Sequence, residues 1–155
     1  EGLPDGFATK MPNGELFGEA ILKPTHLYIK FVQELMEHDL ELHYMVNVTG
    51  HGWRKLMRAQ AAFTYEMTHV PEPQPEFTFI QNATKASDEE MYGNYNMGAG
   101  YAVYVPKGTG EKVVATAKKH GLQAWVAGIV KDGPRKVIIK PKNITCDGET
   151  LGVRA

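Results

Sequence analysis

Phe31, Val32, Leu35 and Met36 recur at helical spacing, which predicts a helix from Phe31 to about His38. Upstream, Pro24 stops any helix entering through Leu22 and Lys23. His26–Lys30 then reads either as a short strand or as the lead into the next helix. Leu42–Val48 reads as a buried strand running into the turn Thr49-Gly50-His51-Gly52, and Trp53–Ala59 has a helical pattern. A strand is expected near Ala62–Met67, a proline-rich loop over Pro71–Pro75 and a short helix over Glu76–Gln81. Ser87 and Glu90 have capping-box spacing, so another helix is expected to start there. The small-residue turn Asn96-Met97-Gly98-Ala99-Gly100 follows, and the alternation Tyr101-Ala102-Val103-Tyr104-Val105 reads as a strand. A helix over Glu111–His120 turns Val113, Val114 and Ala117 inward, with Gly121 as its stop. Trp125–Val130 and Lys136–Ile139 are expected to form a hairpin across Asp132-Gly133-Pro134.

Strands alternating with helices give the expected class: α/β (α+β), a mixed β-sheet with helices packed against it in layers. Residues 1–18 are turn-rich and expected to be an irregular, linker-like start. With 155 residues, 43% of them hydrophobic, the chain is large enough for one domain with its own core. Its opening at Glu1 rather than a methionine, with Gly2, Pro4, Gly6, Pro12 and Gly14 in a polar context, reads as the middle of a longer protein.

A net charge of −1 supplies no global attraction to nucleic acid or to a membrane surface. No apolar run approaches the length of a bilayer span. Cys146 is the single cysteine, which excludes an intrachain disulfide and a cysteine zinc cluster; it reads as an ordinary buried or half-buried thiol. A reducing, cytoplasmic setting fits this composition. The Asn-x-Thr triplets at Asn47, Asn82 and Asn143 read as chance matches rather than glycosylation sites.

Candidate chemistry sits in the two glycine turns. Asn96–Gly100 connects a helix to a strand, so it lacks the strand-to-helix order of a dinucleotide fingerprint. Its glycines permit either close backbone approach to a ligand or simple chain reversal. Thr49–Gly52 does run from strand to helix, where outward N–H groups favour an anion. Arg54, Lys55 and Arg58 add positive charge. The alternative is a glycine turn followed by a solvated basic helix, and the Walker spacing is absent. His38, Asp39, Glu41 and His43 straddle a helix-to-strand junction and read as a polar loop rather than a metal site. His51, inside the glycine turn, is by default structural or solvent-facing. The lysines and arginines from Lys118 to Lys142 read as a solvated face.

Four segments, taken in order, resemble the C-terminal domain of the aminoimidazole ribonucleotide synthetase family, the phosphoribosylformylglycinamidine cyclo-ligases. They are Gly18–Lys30, Val48–Gly52 with Arg58 after it, Glu89–Gly100 and Gln123–Gly128. The resemblance covers nearly the whole chain as one C-terminal-type synthetase domain, residues 1–155. It implies a three-layered packing of mixed sheet and helices. It also implies a separate N-terminal domain, absent from this chain, holding most of the ligands of ATP and Mg2+. The implied reaction is ATP-dependent closure of formylglycinamidine ribonucleotide, in which ATP activates the formyl oxygen, a nitrogen attacks and phosphate leaves.

On the same footing, Thr49, Gly50, His51, Gly52, Arg58, Asn96, Met97, Gly98 and Gly100 are the expected substrate- and phosphate-binding residues. The resemblance assigns no catalytic residue and no metal ligand within the chain. It implies a small-molecule nucleotide substrate, no nucleic acid, no membrane and a homodimeric parent. Dimerisation there is mostly the business of the N-terminal domain, so a monomer without turnover is expected of this chain alone. The chain departs from the family pattern at Asn47 (a histidine in the family), His51 (a glycine), His26 (an arginine) and Gly93-Asn94. These departures, with the absent domain, keep other readings open. One is a stand-alone module binding a nucleotide or a partner protein. The others are sister enzymes: selenophosphate synthetase, thiamine-monophosphate kinase, the hydrogenase-maturation dehydratase and formylglycinamidine ribonucleotide synthetase.

Overall fold

The β-branched and aromatic runs sort into two sheets. In the computed structural model, which describes residues 3, 5–38 and 40–151, β1 (Tyr44–Asn47) pairs antiparallel with β3 (Tyr101–Tyr104). The second sheet has the order β4-β2-β5-β6, built from β2 (Phe63–Met67), β4 (Gly128–Asp132), β5 (Lys136–Ile139) and β6 (Ile144–Asp147). Its β2–β5 pair is parallel and the others antiparallel, so the sheet is mixed. The α+β class holds, with the strands divided between two sheets.

The expected hairpin between β4 and β5 does not form, because β2 lies between them. Their connection must therefore span two strand spacings, about 9.5 Å, rather than one. It crosses the start of β2, where the Thr64 hydroxyl donates to the Pro134 carbonyl at 2.9 Å. A Cβ on Gly133 would lie 2.8 Å from that same hydroxyl oxygen. The Asp-Gly-Pro turn signal is local, whereas the intervening strand comes from some 65 residues upstream and is invisible to it.

The remaining elements follow local chemistry. The Ser87 hydroxyl accepts from the Glu90 N–H at 3.2 Å, and the Glu90 carboxylate accepts from the Ser87 N–H at 2.8 Å. This closed capping box opens α4 (Asp88–Asn94). Pro75 at the first position starts α3 (Pro75–Thr84), which is longer than its apolar pattern indicated. Gly121, at φ +70°, ends α5 (Gly110–Lys119). His26–Tyr28 proves to be the lead into α2 (Ile29–Glu37). Within the turn-rich start, Phe17–Ile21 forms a short helix, α1, that ends before Pro24. The run after His51 is a six-residue 3-10 helix, Gly52–Met57. Far from being solvated, it buries Trp53, Leu56 and Met57 against α4 and β5.

One hydrophobic cluster joins this 3-10 helix to β2, β5 and β6 through Tyr65, Met67, Val137, Ile139 and Cys146. A smaller one, Phe31, Leu35 and Ala117, joins α2 to α5. At its rim the Glu34 carboxylate accepts from Lys119 Nζ at 3.1 Å, His120 Nε2 at 2.7 Å and His38 Nε2 at 3.2 Å. The Lys119 hydrogen bond, followed by those of His120 and His38, pulls the Glu34 pKa from 4.5 down to about 2. Between those values the unfolded chain binds the proton and the folded one does not. The stabilisation is therefore complete above about pH 4.5 and is lost as the pH falls towards about 2. Glu34→Gln is expected to flatten the acid limb of thermal stability across that window. Parallel acid limbs for the two proteins would refute this.

Candidate functional site

Pairing of β1 with β3 sets Asn47 opposite Tyr101. The chain leaves β1 into Thr49–Gly52 and enters β3 from Asn96–Gly100, so both glycine turns lie side by side at one end of this ladder. The Val48 N–H donates to the Gly100 carbonyl at 3.0 Å, and Trp53 Nε1 donates to the Asn96 carbonyl at 2.8 Å. The sequence named both turns; their adjacency depends on strand pairing across more than fifty residues.

The glycines in these turns serve different ends. A Cβ at Gly52 would lie 2.2 Å from the Tyr92 carbonyl oxygen and 2.7 Å from that of Tyr95, so Gly52 is closed against the end of α4. Gly98, at φ +92°, is wedged against Glu72 and Pro71, and its N–H donates to Asn96 Oδ1 at 3.0 Å. Met97 has φ +45° and is buried. Gly50, in contrast, has open space where a Cβ would stand. Thr49, Gly50 and His51 are exposed, with His51 in the left-handed conformation at φ +72°. Within the two turns, the solvent-facing part of the predicted set is thus Thr49–His51.

Of the nearby cations, Arg54 is a clamp. It donates from Nε to the Gly93 carbonyl at 2.8 Å and from Nη1 to the Thr150 carbonyl at 2.7 Å. Lys55 Nζ donates to Thr49 Oγ1, which holds an ammonium on the flank of the open turn. Arg58 is exposed at the far end of the 3-10 helix, with no side-chain hydrogen bond or ion pair among the described residues.

A cleft of about 410 Å3 adjoins the turns, lined by His26, Tyr28, Val32, Gln33, Asn47 and Tyr101 with the exposed Leu27 and Ile29. Tyr28 and Tyr101 stack at 4.8 Å between ring centroids. Burial pushes both phenols above their ordinary pKa, keeping them protonated as hydrogen-bond donors. A Cβ on Gly100 would come within 2.2 Å of Tyr28 Oη, so the bare Gly100 backbone makes room for this ring. Gln33, Tyr28 and Tyr101 were not foreseen as site residues. The available signal was the placement of Tyr28 in the Pro24–Lys30 segment and of Tyr101 directly after Gly100.

The histidines flanking Leu40 bond singly to carboxylates, His38 to Glu34 and His43 to Glu41 at 3.0 Å. Asp39 lies outside the described residues. Among the described residues no three His, Cys, Asp or Glu side chains group as a metal-holding cluster. No described helix is long and apolar enough to cross a membrane.

The chain is thus an α+β domain that sets two glycine turns beside an aromatic cleft. The family described as "AIR synthase related protein, C-terminal domain" matches residues 3–140, and the chain belongs to that family. Phosphoribosylformylglycinamidine cyclo-ligase of Methanocaldococcus jannaschii is 37% identical over 124 residues, covering 79% of this chain and 35% of that protein. The enzyme of the same name from Methanococcus maripaludis is 35% identical over 80% of the chain and 35% of its own length. That from Methanococcus vannielii is 31% identical over 91% of the chain and 37% of its own length. The chain thus spans little more than a third of the length of these curated relatives.

Proposed function

We propose that this chain is the C-terminal, substrate-facing part of a cyclo-ligase of purine biosynthesis, which closes formylglycinamidine ribonucleotide to aminoimidazole ribonucleotide with ATP as the driving reagent and releases ADP and phosphate. The observation that carries the proposal is the convergence of His26–Ile29, Asn47–Gly52 and Asn96–Tyr101 on one corner. The exposed residues Thr49–His51, whose N–H groups have no backbone acceptor among the described residues, and the Lys55 ammonium suit the phosphate of a ribonucleotide. The cleft between Tyr28, Gln33 and Asn47 suits its uncharged portion, with amides to orient it and apolar walls to exclude water. The chain's share in the reaction is positioning and stabilisation of phosphoryl charge.

ATP, when bound, would supply the activating phosphoryl group. Its ligands and those of magnesium belong, in this proposal, to the part of the relatives' length beyond this chain. The highly exposed Leu22, Leu27 and Ile29 offer that part an apolar contact beside the cleft. On its own the chain is expected to bind ribonucleotide without turnover.

Calorimetry with aminoimidazole ribonucleotide tests the proposal. The chain is expected to bind it, and Lys55→Met to weaken binding roughly tenfold or more, the range of a lost charge-assisted hydrogen bond. Gly100→Ala, which drives Tyr28 Oη off its seat, is expected to weaken binding while leaving the circular dichroism unchanged. No binding by the chain, or equal binding by both variants, would overturn the proposal.

A further inference from the structure

The tyrosine hydroxyls end in different surroundings. Tyr104 Oη donates to the Leu56 carbonyl at 2.7 Å, and Tyr92 Oη is sealed in the core. Tyr28 Oη belongs to neither kind: it bonds to no side chain or carbonyl of the described residues, yet it is not fully buried. Its position is fixed from two sides. The ring stacks on Tyr101 at 4.8 Å, and the oxygen rests over Gly100, where a Cβ would come within 2.2 Å of it. Gly100 bonds to Val48 one step beyond the last β1–β3 pair, Asn47 with Tyr101. Tyr28 Oη therefore stands at the step between the cleft and the open turn. Asn47 and Thr49 are exposed on either side of the buried Val48, so they project from one face. Two residues of extended chain separate them by about 6.5 Å, comparable with the span from phosphorus to glycosidic carbon in a ribonucleoside 5′-phosphate. With the phosphate at Thr49–His51 and the uncharged portion between Tyr28, Gln33 and Asn47, the sugar falls beside Val48 and Gly100. The side-chain hydroxyl at that step is Tyr28 Oη.

We propose that Tyr28 Oη reads a ribose hydroxyl and makes this site specific for ribonucleotides over their deoxy counterparts. The inference rests on the ribonucleotide reading above and adds to it the group that recognises the sugar. Burial holds the phenol above its ordinary pKa, so it keeps its proton and can both donate to and accept from a sugar hydroxyl. A deoxy sugar would set a C–H against Tyr28 Oη in a cleft that the ligand has closed to water, where an unpaired polar group is penalised. Gly100 takes part as well, because its bare backbone is what lets the phenol reach the step between cleft and turn. The stack on Tyr101 keeps the ring from swinging away when the cleft is empty, so the hydroxyl is in place before the ligand arrives.

Calorimetry with aminoimidazole ribonucleotide and its 2′-deoxy and 3′-deoxy analogues tests this. The chain is expected to bind at least one deoxy analogue roughly fivefold or more weakly than the ribonucleotide, the range of a neutral hydroxyl left unpaired. Tyr28→Phe removes the hydroxyl alone and keeps the stack on Tyr101. It is expected to bring the three ligands within about twofold of one another by weakening the ribonucleotide, with the circular dichroism unchanged. Gly100→Ala, which retains the hydroxyl but displaces it, is expected to narrow the same ratio. Equal binding of all three ligands by the wild-type chain, or a ratio that survives Tyr28→Phe, would overturn the inference and leave the ribonucleotide reading standing. Binding of none of the three would overturn that reading, and this inference with it.

Discussion

Gly52→Ala is expected to cost about 2–5 kcal/mol, while Gly50→Ala, two residues earlier, stays within about 1 kcal/mol of wild type. Two penalties coincide at Gly52. Its φ of +50° lies in the left-handed region, where a side chain costs roughly 1–2 kcal/mol. Its Cβ would also meet the backbone oxygens of Tyr92 and Tyr95 at 2.2 and 2.7 Å and the Asn94 nitrogen at 2.9 Å. Those atoms belong to the end of a capped helix and the turn after it, and they cannot swing aside as a flexible side chain does. Overpacking of this kind adds about 1–3 kcal/mol. Gly50 has neither problem, because its φ lies outside the left-handed region and its Cβ position is open. Urea denaturation of the two variants in parallel checks the contrast. Equal midpoints would show that the turn is not closed against α4.

That contrast also marks how far the sequence could be read. Thr49–Gly52 and Asn96–Gly100 are legible as turns because glycine and asparagine advertise left-handed backbone locally. Which glycine admits a ligand and which admits a helix end depends on a partner forty residues away. Arg54 shows the same limit. In the sequence it is a basic residue at a helix start, available to an anion, whereas in the fold its guanidinium holds the carbonyls of Gly93 and Thr150. Ser87 with Glu90, and Gly121 after α5, behaved as read because their chemistry is complete within a few residues. β6 escaped notice altogether. Ile144 and Cys146 do alternate inward, but the strand is four residues long and enters from Asn143 at φ +54° rather than from a recognised turn pair. The cleft was hidden for a related reason, since His26, Gln33, Asn47 and Tyr101 come from four separate stretches that meet only after β1 and β3 pair.

The residue that keeps the two turns in register is Trp53, and Trp53→Ala is expected to cost about 3–5 kcal/mol. Its indole is 2% exposed, stands edge-on to Tyr92 at 5.3 Å and donates to the Asn96 carbonyl at 2.8 Å. Trp53→Phe separates these contributions. It retains an aromatic edge for Tyr92 but removes the indole donor to the Asn96 carbonyl, for an expected loss of about 0.5–1.5 kcal/mol. That carbonyl also accepts from the Ala99 N–H at 2.9 Å, so freeing it loosens the turn at its own closing bond rather than elsewhere in the core. A purely volumetric role for Trp53 predicts a different pattern, in which Phe recovers most of the stability and the turn is undisturbed. Hydrogen exchange distinguishes the two. In Trp53→Phe the amides of Gly98 and Ala99 are expected to exchange faster by a larger factor than those of β5, which share the same core but not this bond. Uniform acceleration across β5 and the turn would reduce Trp53 to a core filler and leave the adjacency of the two turns to strand pairing alone.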